Sequence, residues 1–145
     1  MQKPLLSIAA VIITIAIAIQ FIPYGKNHTN PPTLGEPTWD SPRTKELFDQ
    51  ACADCHSHET SYPWYANIAP ISWLVAHDVE DGRKHFNIST WGQQAKNKGD
   101  EAHEEVSEGD MPMLIYTWLH SKAQLSANEK EELTKGLKAT FPKHN

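Results

Sequence analysis

Residues 52 to 56 read Cys-Ala-Asp-Cys-His, and they hold both cysteines of a 145-residue chain. The C-x-x-C-H spacing restricts what can fold around it. On a helical turn, positions three apart share a face, so two thiols reach one partner while the next residue offers it an imidazole. A c-type haem is such a partner: each cysteine bonds a vinyl group of one porphyrin, and the histidine binds the iron as proximal axial ligand. The expectation is one covalent haem c per chain, held by Cys52 and Cys55 and ligated by His56. A thioredoxin-like dithiol belongs in a βαβ setting, and a zinc ribbon uses a second cysteine pair. Neither context is present, which leaves zinc on Cys52, Cys55 and two of the eight histidines as the competing metal site.

From Leu5 to Ile22 the chain is apolar except for Ser7, Thr14 and Gln20, and it carries no charge. At 1.5 Å per residue this stretch reaches about 27 Å, close to the roughly 30 Å hydrocarbon core of a bilayer. A cleaved signal peptide has a shorter apolar region followed by a small-x-small site. Here Ile19-Gln20-Phe21-Ile22-Pro23 stands instead, so residues 1 to 22 are expected to be an uncleaved signal anchor with a single transmembrane helix. Lys3 and Lys26 flank the stretch on both sides and leave its orientation weakly specified.

Half of the ten prolines fall between Pro23 and Pro42, among Gly25, Asn27, Asn30, Thr33 and Gly35. Residues 23 to 40 therefore read as a Pro-rich tether of extended, polyproline-like chain, with Trp39 placed to pack back on the domain beyond it. Residues 41 to 145 are then one small domain. A chain of that size gains from a staple, which a covalently held apolar porphyrin supplies. The formal charge of −5 does not favour nucleic acid and suits a basic redox partner.

Helical signals fill the domain, and no strand pattern interrupts them. Ser41-Pro42 is a capping residue followed by proline at the first helical position, opening a helix through Leu47 and Phe48 into the C-x-x-C-H turn. A second helix begins near Pro70 with the stripe Ile71, Leu74, Val75 and Val79, and ends before Asn87. Residues 101 to 108 and 113 to 120 read as short helices. Ser126-Ala127-Asn128-Glu129 is a capping box for a last helix through Leu133 and Leu137, within which Gly136 costs about 1 kcal/mol relative to alanine. The fold class is all-α, a small c-type cytochrome-like helical domain around one haem, preceded by the single membrane helix.

With His56 on one side of the iron, the occupant of the other side separates electron transfer from ligand chemistry. Gly109-Asp110-Met111-Pro112 supplies the leading candidate. The Met111 thioether is a soft ligand that raises the reduction potential, and the glycine and proline beside it favour an irregular loop. Met113 is the near alternative, and Met111 as a packing residue is the plain one. Among the histidines, His77, His85, His103 and His120 compete for the iron. His58 is too near His56 to swing across, and His28 and His144 lie near the ends.

The run from Ala51 to Trp91 resembles the bacterial haem-binding domain family of small, membrane-anchored proteins with one C-x-x-C-H. The residues that carry the resemblance are Cys52 to Ser57, Pro63-Trp64-Tyr65, Ile68-Ala69-Pro70-Ile71-Ser72-Trp73-Leu74, Asp78-Val79, Gly82-Arg83 and Asn87-Ile88-Ser89. Gly109 to Pro112 and Leu125-Ser126 continue it. His58 and Tyr62 depart from it, standing where a small polar residue and a tryptophan are usual. Tyr62, Trp64, Tyr65 and Trp73 are placed either to wall the porphyrin or simply to pack with one another. The resemblance, and that to c-type cytochromes, implies haem binding on the periplasmic or other extracytoplasmic side of the cytoplasmic membrane. On this reading the protein is an electron carrier rather than an enzyme, passing single electrons to a redox partner protein through a haem ligated by His56 and Met111. A haem peroxidase or a gas-sensing haem module is the alternative.

Overall fold

The computed structural model describes residues 2 to 143, so His144 lies outside the described residues. All regular structure among the described residues is helical. Seven α-helices succeed one another as α1 (Gln2–Ala18), α2 (Pro42–Ala51), α3 (Ala53–His56), α4 (Ile71–His85), α5 (Ala102–Glu108), α6 (Leu114–Leu119) and α7 (Ala127–Thr140), with short 3-10 turns between them. The chain forms two compact units. The first comprises the segment up to Thr29 with Tyr62–Asp78, and the second comprises Asn30–Ser61 with the segment from Val79 onward.

In the first unit, α1 runs into a 3-10 turn at Ile19–Phe21. The 18 residues Pro4–Phe21 are long and apolar enough to cross a membrane. The end of this span is fastened by Gln20, whose side-chain amide donates to the Ala69 carbonyl at 2.9 Å and accepts from the Ala69 N–H at 3.0 Å. Tyr62 stacks on His28 at 4.3 Å between ring centroids, and Trp64 meets Tyr65 edge-on. The start of α4 differs from the stripe expected of it. Ile71 and Leu74 are exposed, while Ser72 is fully buried.

The second unit is built around α2, α5 and α7, with α7 packed against both of the others. Ser41 caps α2 by accepting the Thr44 N–H at 3.2 Å, with Pro42 at the first helical position. Ser126 and Glu129 form the reciprocal capping box of α7. These signals act within one turn, which is why the sequence displays them. Leu47, Phe48, Ala51, Val106, Leu133 and Leu137 form the centre of the core. Phe86 and Phe141 join Phe48 in a cluster of rings 5.9 to 6.1 Å apart, capped by Trp39 and Trp91. Arg43 links α2 to Glu129 and Glu132 of α7, an exposed arrangement of modest value.

Gly136 has a reason that helix propensity does not show. A Cβ there would collide with Thr44 Oγ1 and lie 2.6 Å from the methyl group of the same side chain, so α7 crosses α2 over a bare backbone. Gly136→Ala is therefore expected to destabilise the protein by about 1–3 kcal/mol through overpacking, overriding the gain of about 1 kcal/mol in propensity. Thermal or denaturant unfolding of the variant reads this directly.

Candidate functional site

The C-x-x-C-H turn continues α2 without a loop. The Cys52 N–H donates to the Phe48 carbonyl at 2.8 Å, and the N–H groups of Cys55 and His56 both turn back on the Cys52 carbonyl. α3 is that single turn. Both cysteines are half-buried, and neither forms a disulfide. Burial, with Cys55 and Asp49 nearby, pushes the Cys52 thiol up to about 12. Among the described residues, no group of three or more His, Cys, Asp or Glu side chains is gathered as a metal site. The four-ligand zinc arrangement therefore has no counterpart.

His56 is buried, and its imidazole is fixed from two sides. Nδ1 stands 3.1 Å from the Phe86 carbonyl and donates to it. The Phe86 ring stacks on the imidazole at 4.3 Å, with planes 18° apart. The proton is thereby assigned to Nδ1, leaving Nε2 with the lone pair that a metal takes. Burial lowers the pKa of His56, although hydrogen bonds to the Phe86 and Gly82 backbone oppose this. The neutral, ligating form is the favoured one.

Helix α4 approaches this turn at Gly82. A Cβ on Gly82 would lie 2.7 Å from the Cys55 carbonyl oxygen and 3.0 Å from Cys55 Cβ, so only glycine allows the contact. One residue on, Arg83 donates from Nε to the Ser57 carbonyl at 2.9 Å and from Nη2 to Thr60 Oγ1 at 2.9 Å. Ser57 Oγ in turn donates to the Ala53 carbonyl at 2.7 Å. The segment after the motif is thus tied to both the turn and α4.

Asp54, between the two cysteines, is buried. Its Oδ2 accepts from Tyr116 Oη at 2.6 Å and Lys122 Nζ at 3.0 Å, and its Oδ1 accepts from the Ser61 N–H at 2.9 Å. Burial raises its pKa, but these three donors outweigh burial and hold the carboxyl below the usual carboxylate range. Burial and the bond to Asp54 push the Tyr116 phenol well above its ordinary value. Tyr116 lies on α6, whose other face is apolar and open to solvent, with Leu114, Ile115, Trp118 and Leu119 all more than half exposed. An exposed apolar face of this size is surface that a bound partner or ligand would cover.

Met111 is half-buried and packs against the core cluster that also contacts Cys52 and Tyr116. Its N–H donates to the Glu105 carbonyl at 3.1 Å, and the Met111–Pro112 peptide is cis. Met113, also half-buried, directly precedes α6. Other histidines make bonds of the same kind as His56 through Nδ1. His58 Nδ1 donates to the Pro32 carbonyl, His85 to Asp81 and His103 to Asp100, while His120 bonds and stacks on Tyr116. His77 is exposed. Nδ1 bonding to a carbonyl is therefore common in this chain, and burial against Phe86 is what sets His56 apart. Phe86, Gly82, Asp54 and Tyr116 were not singled out as site residues by sequence reasoning. Asp54 and Gly82 lay within quoted motifs, each without a role of its own.

Comparison with known proteins identifies the family of the chain. The sequence model of the haem-binding domain family matches residues 14–139. No curated protein and no solved structure matches the chain.

Proposed function

The chain belongs to the haem-binding domain family, and from that premise we propose that it is a membrane-tethered, c-type cytochrome-like electron carrier. The observation that carries the reading is His56, buried in the C-x-x-C-H turn with Nδ1 spent on the Phe86 carbonyl and Nε2 left for iron. The residues fit a haem. The cysteines stand three apart on one helical turn with His56 next in the chain, and neither is in a disulfide. When bound, the haem supplies a one-electron iron couple.

Each residue then has a task. Cys52 and Cys55 hold the ring covalently, so it is not lost when an axial bond breaks. His56 is the proximal ligand, and the Phe86 carbonyl fixes its tautomer and raises its basicity. Met111 is the distal ligand, with Met113 the alternative, and a thioether there favours the ferrous state. Pro4–Phe21 anchors the chain in the cytoplasmic membrane, with the haem on the periplasmic side and a soluble or membrane-bound redox protein as partner. Closed coordination by two protein ligands suits electron transfer, whereas a peroxidase or gas sensor needs an open distal position.

The test is spectroscopic. Ferric wild type is expected to show the weak near-infrared sulfur-to-iron band. Met111→Ala abolishes the band, lowers the reduction potential and gains binding of carbon monoxide, while Met113→Ala leaves all three nearly unchanged. Loss of the band in Met113→Ala alone moves the ligand and keeps the function. Wild type that lacks the band and binds carbon monoxide rapidly overturns the carrier reading in favour of a peroxidase or gas-sensing module.

A further inference from the structure

Asp54 occupies one of the two variable positions between the cysteines, yet it is among the most highly bonded side chains of the second unit. Three donors converge on its carboxylate: the Tyr116 hydroxyl, the Lys122 ammonium and the Ser61 N–H. Lysine and backbone N–H donate only, and a carboxylate only accepts. An asparagine in the same pose would turn its own N–H groups toward one of these donors, so the set selects a carboxylate. Its environment is asymmetric as well. The Asp54 side chain is 9% exposed, but that of Lys122 is 44% exposed. Water and salt screen the lysine charge more than the aspartate charge, leaving a net negative field within the attachment turn.

We propose that Asp54 is a positioning residue for the haem, fastening α6 to the attachment turn and lowering the reduction potential through its buried charge, with Lys122 as a partial counterweight. This rests on the haem reading above. Iron(III) carries one more positive charge than iron(II), so a negative charge two residues from the ligating His56 favours the ferric state. The same carboxylate, through Tyr116 and Lys122, ties α6 and the 3-10 turn at Ser121–Ala123 to residues 52 to 56. Position and potential are thus set by a single side chain.

The two effects separate by sign. Loosening α6 admits water to the haem, which favours ferric iron and lowers the potential. Removing the charge raises it. The experiment is an optical redox titration of full-length, haem-loaded wild type, Asp54→Asn, Tyr116→Phe and Lys122→Gln at one pH and ionic strength, with hydrogen exchange of the α6 amides in parallel. The midpoint is expected to move up in Asp54→Asn and down in Lys122→Gln, with α6 exchanging roughly tenfold faster in Asp54→Asn, the loss of about one charged hydrogen bond. Tyr116→Phe, which removes a tether of α6 and keeps the Asp54 charge, supplies the loosening contribution, and a midpoint in Asp54→Asn no higher than in Tyr116→Phe overturns the proposal while the haem reading stands. Should Asp54→Asn yield no holoprotein, Tyr116→Phe decides: faster α6 exchange with the haem retained supports the positioning role of Asp54, and unchanged exchange overturns it. Wild type that carries no haem at all overturns both readings, and the absent chromophore distinguishes that result from the others.

Discussion

Full-length protein with both Cys52 and Cys55 replaced by alanine is expected to surrender all of its chromophore to acid acetone, whereas the parent retains all of it. The expectation comes from the attachment turn, where both sulfurs sit outside any disulfide and within one helical turn of His56. Without thioethers, the ring is held only by axial bonds and apolar contact, and acid protonates the imidazole that supplies the proximal bond. The axial bond is therefore lost under the conditions of the assay. Each single alanine variant keeps one thioether and is expected to retain its haem at reduced holoprotein yield. Complete extraction of haem from the parent would remove the c-type assignment while leaving haem binding itself intact.

The second large effect is expected at Gly82. A valine there places Cβ 2.7 Å from the Cys55 carbonyl oxygen, a backbone atom inside a hydrogen-bonded turn that has no room to rotate away. Overpacking of this kind costs about 1–3 kcal/mol, against a total stability of about 5–15 kcal/mol. The melting temperature of the apoprotein should fall by roughly 10 °C. The displacement also reaches His56, because α4 leads directly into Phe86, whose carbonyl orients that imidazole. Haem incorporation should fall with stability. Gly92→Ala is the control, since Gly92 has a positive φ but nothing within 4 Å of its would-be Cβ. It should cost about 1 kcal/mol of backbone strain and leave haem loading unchanged. Equal haem loss in both variants would show that general destabilisation, rather than the contact with Cys55, is responsible.

These two sites mark what a sequence displays and what it conceals. The C-x-x-C-H turn, the Ser41-Pro42 start and the Ser126–Glu129 capping box are legible because each is complete within a few residues. The helices between them obey the same local rules. Gly82, Gly136 and Asp54 were not legible in that way. Each is explained by an atom distant in the chain: the Cys55 carbonyl, Thr44 Oγ1 and the Tyr116 hydroxyl. The propensity rule counts only the helix that contains Gly136 and so cannot register the Thr44 side chain that a Cβ there would meet. The start of α4 illustrates another limit. Ile71 and Leu74 mark an apolar face, but periodicity does not say what faces it, and both are exposed while Ser72 is buried. Met111 was picked out from its loop composition. Its packing beside Cys52 and Tyr116 on one core cluster required the fold.

The stacking of Phe86 on His56 makes the imidazole the outermost member of the aromatic cluster that ends at Phe141. Two ring contacts connect His56 to the residue that closes α7. A protease that trims the chain just before residue 141 would leave the attachment sequence untouched and both thioethers in place. It would still remove the ring that backs Phe86, and with it part of the seat of the histidine. Wear at the far end of α7 thereby reaches the histidine of the C-x-x-C-H turn.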